Sequence, residues 1–137
     1  MKTLALRLTA QQDLRASLES AVASHACDAA FVLQGIGSLS TAHIRFAGMP
    51  DATVFQGSLE ILTLAGSLSP DGGHLHISVA DAQGRVFGGH VAYGCIVRTT
   101  AEVLVALLPE YRFSREPDAQ SGYRELAIRP HSRPGGS

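Results

Sequence analysis

Residues 74–80, HLHISVA, alternate along their length and are rich in β-branched and apolar side chains, the period-two pattern of a strand with one face in a core. Asp81-Ala82-Gln83-Gly84 follows, with Asp opening a type I turn and Gly at the bulge position that takes up the left-handed conformation. In that loop class Asp81 closes against Arg85. Ala80 then stands opposite Val86, Ser78 opposite Gly88, His76 opposite His90 and His74 opposite Ala92. A two-residue loop would separate His90 from the other two histidines, and Gly84 favours the first register. No other stretch constrains the fold as much, because a slip of one residue would turn every side chain to the opposite face.

Three imidazoles therefore share one face with Ser78, Gly88 and Ala92, all small. The opposite face, Leu75, Ile77, Val79, Phe87, Val91, Tyr93 and Cys95, reads as core. Opposed strand residues have Cβ atoms about 4.5–5.5 Å apart, so ring nitrogens of His74, His76 and His90 can converge on one ion at about 2.0–2.1 Å. Cys95 points away, which leaves a further position to water, a carboxylate or a ligand. A histidine on a strand is ordinarily a polar side chain with one hydrogen-bond partner, and core-packing histidines would serve stability alone. Three on one face point to a metal. Neutral imidazole suits zinc, iron, nickel, copper and cobalt alike, so zinc stands as the default assignment.

With 137 residues, 45% of them hydrophobic, the chain is the size of one domain and can bury a true core. Eleven basic residues balance twelve acidic ones without any basic run in the body of the chain, which argues against an autonomous duplex binder. Cys27 and Cys95 lie in apolar settings and read as reduced residues of a cytoplasmic protein. The N-terminal stretch has no apolar signal region and no segment approaches a membrane span, so a soluble, unprocessed protein is expected.

In chain order, Leu4, Leu6 and Leu8 predict an opening strand, and Leu14, Leu18, Ala21, Val22 and Ala26 an amphipathic helix from about Gln11 with Thr9 as its cap. Residues 29–33 read as a strand, 34–38 as a glycine turn and 39–47 as a second strand. Residues 54–68 are two strands or one long bent strand. Glu60, inside that apolar run, is expected at a sheet edge, paired with a cation such as Arg45, or at an interface, with an edge or rim salt bridge favoured over a catalytic carboxylate. Glu102 to Leu108 reads as a strand, Tyr111 to Arg115 as a solvated loop and residues 122–128 as a closing strand. Residues 1–128 form the domain, and residues 129–137 a basic, Pro/Gly-rich tail expected to be disordered.

The pieces GIGSLSTAHIRF, GSLEILTLAGSLSPDGGHLHISVAD, GRVFGGHVAYGCIVRTTAEV and SGYREL together resemble the PPC domain, the plant and prokaryote conserved domain, over nearly the whole chain up to Ile128. The resemblance implies an α+β fold, a mainly antiparallel sheet with a few packed helices, assembled as a homotrimer. It implies a partner-interaction hexapeptide at Gly57, Ser58, Leu59, Glu60, Ile61 and Leu62, two of whose residues depart from the plant motif Gly-Arg-Phe-Glu-Ile-Leu. It also matches His74, His76 and His90 to histidines that would form a metal site in some prokaryotic members. Plant members carry an AT-hook and act as nuclear, DNA-associated regulators. No Arg-Gly-Arg-Pro hook occurs in this sequence, which removes the segment with an obvious minor-groove mechanism.

The leading expectation is a stand-alone, cytoplasmic PPC-type binding and assembly module, with a structural or ligand-receiving metal at His74, His76 and His90 and a transcription-regulatory role through protein partners. No catalytic residue is assigned. The alternative is a metal-dependent hydrolase or lyase at the same site, with Glu60 or Glu102 as general base. A third reading is sequence-tolerant DNA binding by a trimer that gathers Arg45, Arg85, Arg112 and Arg115.

Overall fold

The computed structural model describes residues 1–132. Its elements are β1 (Lys2–Thr9), α1 (Leu14–Ser24), β2 (Ala30–Arg45), β3 (Thr53–Ser69), β4 (Gly72–Ala80), β5 (Val86–Val91), β6 (Ile96–Leu107), β7 (Tyr111–Pro117) and β8 (Arg124–Pro130). Six strands form one antiparallel sheet in the order β1-β6-β2-β3-β4-β5. The last of them returns to β2 through Ile44↔Val91 and Arg45↔His90, so β2, β3, β4 and β5 close a ring. Strands β7 and β8 make a separate antiparallel pair. The fold is thus mainly antiparallel sheet, as expected, with one helix among the described residues where a few were anticipated. That helix is not long and apolar enough to cross a membrane.

The helix presents Leu14, Leu18 and Val22 to the core, which they share with Leu64, Leu68, Leu75, Val97 and Val105 of the sheet. Its start differs from the expected one. The chain turns at Gln11, whose φ is 76°, and Asp13 rather than Thr9 caps the helix. One Asp13 oxygen accepts from the Ala16 N–H at 2.9 Å and the other from the Gly94 N–H at 2.7 Å, so a single carboxylate ties α1 to the segment behind β5. Asp13→Ala is therefore expected to cost about 2 kcal/mol, a lost cap plus an unpaired amide, and Asp13→Asn much less. Urea unfolding of the two variants checks this.

Residues 34–38 do not turn. β2 runs straight through them as one strand with register shifts near Gln34, Leu39 and Thr41. The reason is close approach: a Cβ at Gly37 would sit 2.5 Å from the Thr100 carbonyl oxygen, so the glycine admits the neighbouring strand. Residues 53–69 are one long strand, the second of the two forms anticipated. Glu60 is not at an edge. It pairs with Ser38 on one side and Ala80 on the other, its side chain is exposed, and it has no salt bridge among the described residues. An outward-facing position on an interior strand tolerates the charge because water solvates it. Tyr111 to Arg115 is strand, not loop, held through β7–β8 pairing and by buried Phe113, which meets Phe31 edge-on at 5.7 Å. The closing strand runs on through Arg129 and Pro130. Residues 133–137 of the expected tail lie outside the described residues.

Both cysteines are free thiols. Cys95 is fully buried, and burial pushes its thiol up to about 11.

Candidate metal centre

The hairpin that carries the histidines has the expected register. The Asp81 N–H donates to the Arg85 carbonyl and the Gly84 N–H to the Asp81 carbonyl, each at 2.9 Å, and Gly84 has φ 76°. Asp81 Oδ1 also accepts from the backbone N–H of Gln83 and Arg85, while Oδ2 pairs with the Arg85 guanidinium at 2.8 Å. Ala80 faces Val86, Ser78 faces Gly88 and His76 faces His90. Leu75, Ile77, Val79, Val91 and Cys95 are buried on the other face. Tyr93 departs from it, because β5 ends at Val91. Tyr93 is 54% exposed and donates its hydroxyl to Glu19 at 2.6 Å.

His74, His76 and His90 each offer a ring nitrogen within 4.8 Å of the others. The ring centroids are 4.7–5.5 Å apart, with His76 roughly perpendicular to both neighbours. In a tetrahedral site with ligands at about 2.0–2.1 Å the nitrogens would stand about 3.4 Å apart, a distance reached by small ring rotations. The surroundings fit such an ion. Across the ladder His76 faces Ala65 and His74 faces Ser67, both small. None of the three rings makes a hydrogen bond among the described residues, whereas His25 and His43 each engage a backbone carbonyl.

Burial, with neighbouring charge, favours the neutral form of two of the rings, the form a metal needs. Burial, then the Arg115 guanidinium and the other two imidazoles, hold His74 below the ordinary histidine value. Burial, Arg45 and His76 do the same to His90. Neutral imidazole is the ligating species.

Other candidate residues fall elsewhere. Glu60 and Glu102 line a different surface hollow with Ile36, Leu62 and Arg98. In the hexapeptide, Leu59 and Ile61 are core, while Ser58, Glu60 and Leu62 face outward. Arg85 and Arg112 are paired with Asp81 and Asp28, and Arg45 and Arg115 instead line the histidine hollow. Arg15 and Arg124 stand there too, and sequence reasoning missed both. The arginines reach the site from separate elements, so no local spacing announced them.

A closed antiparallel sheet carrying one helix and a surface cluster of three histidines defines the class of domain. The Plants and Prokaryotes Conserved (PCC) domain matches residues 1–109, and the chain belongs to that family. A hypothetical protein from Salmonella enterica is 39% identical with a TM-score of 0.92, over 96% of this chain and 95% of that one. A metal-containing protein from Archaeoglobus fulgidus is 26% identical with a TM-score of 0.77, over 93% and 94%. The bifunctional protein GlmU of a Synechococcus strain is 49% identical over 130 residues, 95% of this chain. The chain spans 21% of the length of that curated relative.

Proposed function

We propose that this PCC domain is a metal-binding module that assembles with copies of itself and acts through protein partners. The observation that carries the metal reading is the convergence of His74, His76 and His90 on one face, with no hydrogen bond to their rings among the described residues. The Archaeoglobus relative, described as metal-containing, supports it. Zinc suits three neutral imidazoles and would supply a Lewis-acid position open to one further ligand. The residues' own part is to hold three nitrogens on a rigid ladder and to favour neutral imidazole at His74 and His90.

Self-assembly, as the homotrimer the family resemblance implies, draws on apolar side chains left on the outer face of the sheet, which favour association. Ile36 and Leu62 are 50% and 43% exposed in one hollow, and Leu104 adjoins Ile36 in the next. Leu62 belongs to the hexapeptide. Because β3 is paired with both β2 and β4 at Glu60 and Ile61, a partner there would read Glu60 and Leu62 by their side chains rather than add a strand. The match inside a much longer bifunctional protein supports a module that works joined to other domains. Binding is favoured over turnover because Glu60 and Glu102 stand away from the histidines. A cytoplasmic location and a role in transcription regulation belong to the same reading.

Cobalt(II) titration of metal-free protein tests the site. Visible d–d absorption saturating near one equivalent per chain is the expected result. Absorption that grows without saturation would refute a three-histidine centre.

A further inference from the structure

His74 and His90 form one wall of a hollow of about 430 Å³ whose other walls carry Arg15, Arg45, Arg115 and Arg124. Four of eleven basic residues, in a chain of formal charge −1, thus meet at one place from α1, β2, β7 and β8. Asp71 is the carboxylate in the lining, and it accepts from the Arg115 backbone N–H at 2.8 Å. Arg15 is partly compensated: it lies 3.6 Å from Glu19, donates to the Val91 carbonyl and covers the Tyr93 ring at 4.4 Å.

Arg45, Arg115 and Arg124 have no ion pair among the described residues, whereas Arg85, Arg112 and Arg129 each have one. Their guanidinium groups are held by neutral carbonyls instead. Arg45 donates to the Met49 carbonyl at 3.2 Å, Arg115 to that of Arg124 at 2.9 Å, and Arg124 back to that of Arg115 at 2.7 Å. Carbonyl acceptors orient a guanidinium without cancelling its charge. Like charges gathered in a concave space repel one another unless an anion enters, and a fixed guanidinium fork matches carboxylate or phosphate oxygens.

We infer that this hollow binds a small organic anion, its carboxylate or phosphate gripped by Arg45, Arg115 and Arg124 beside the histidine cluster. The volume suits a small molecule, and cations inside a hollow suit it better than a duplex, which needs them along an exposed stripe. The arginine grip stands by itself. A bond from the anion to an ion on the histidines rests on the metal-binding reading.

The experiment is calorimetric titration of metal-free protein with sodium phosphate and, separately, sodium succinate at constant ionic strength. Saturable binding of at least one of them, near one per chain, is expected, and the arm that responds distinguishes phosphate from carboxylate. Arg45→Gln and Arg115→Gln, each verified as folded by circular dichroism, should weaken it about ten-fold or more. Arg85→Gln, at the hairpin tip, should leave it unchanged. Because these titrations use metal-free protein, failure of this inference is distinguishable from failure of the metal reading, which the cobalt(II) titration tests separately. Absence of saturation with either anion in metal-free protein would overturn the inference. So would equal weakening in Arg85→Gln, or retardation of a duplex oligonucleotide that Arg45→Gln and Arg115→Gln abolish and neither small anion competes away.

Discussion

Replacing Gly66 by alanine is expected to lower the melting temperature by about 10 °C or more, a loss of about 3 kcal/mol. Gly66 lies inside β3 between Val32 of β2 and Leu75 of β4, with φ at +150°. A Cβ there would stand 2.1 Å from the His74 carbonyl oxygen and 2.7 Å from the Leu75 Cα. Both obstacles are backbone, paired in the sheet, so neither can rotate aside as a side chain would. Strain at the dihedral and overlap with the neighbouring strand each cost about 1–3 kcal/mol. Because the displaced strand carries His74, zinc affinity should fall as well. Gly57→Ala is the control: its φ is +123° but the space beside it is open, so only the dihedral cost of about 1 kcal/mol remains. Thermal unfolding of both variants decides the matter, and similar melting temperatures would show that the strands give way.

His90→Ala is expected to weaken zinc binding at least about 100-fold while changing stability by less than about 1 kcal/mol. His90 is only half-buried and its ring has no protein hydrogen bond among the described residues, so its removal takes away a ligand and little packing. His25→Ala, remote in role and bonded to the Ala21 carbonyl, should leave zinc affinity unchanged. If these are packing histidines, the order reverses: stability falls and metal affinity does not. The pH dependence has a definite sign. For His74 and His90 the folded pKa lies below the ordinary 6.5, so the unfolded chain binds protons first as pH falls. Metal-free protein should thus lose stability as pH drops from about 6.5 towards the lowered values, and keep that contribution above 6.5. Arg45→Gln and Arg115→Gln, which remove a cation from His90 and His74 respectively, should narrow this window; denaturant unfolding across pH measures it.

The histidine hairpin was legible because every determinant is local. Alternation sets the faces, and the Asp81 to Gly84 turn sets the register that brings His76 opposite His90. The glycines at 35 and 37 misled for the opposite reason. They look like a turn, yet their role lies across the sheet, where Gly37 admits the Thr100 carbonyl and Gly35 packs beneath Leu64. Tyr93 carried the alternation one step too far, since nothing in its own residue type signals that the strand ends at Val91. Strand β7 is short and carries two arginines, so it resembled a loop until its pairing with β8 supplied the reason for its shape. Sequence reasoning groups Arg45 and Arg115 only with Arg85 and Arg112 in a trimer's patch, and nothing local places them beside the histidines or adds Arg15 and Arg124. Arg45 comes through the return of β5 to β2, and Arg115 through the Asp71 carboxylate that holds its backbone.

Elemental analysis by inductively coupled plasma mass spectrometry, on protein purified without an affinity tag and on its His76→Ala variant, tests the metal centre most directly. About one equivalent of a transition metal per chain, absent from the variant, is the result this account predicts. Background metal in both proteins, or equal metal in both, would contradict it.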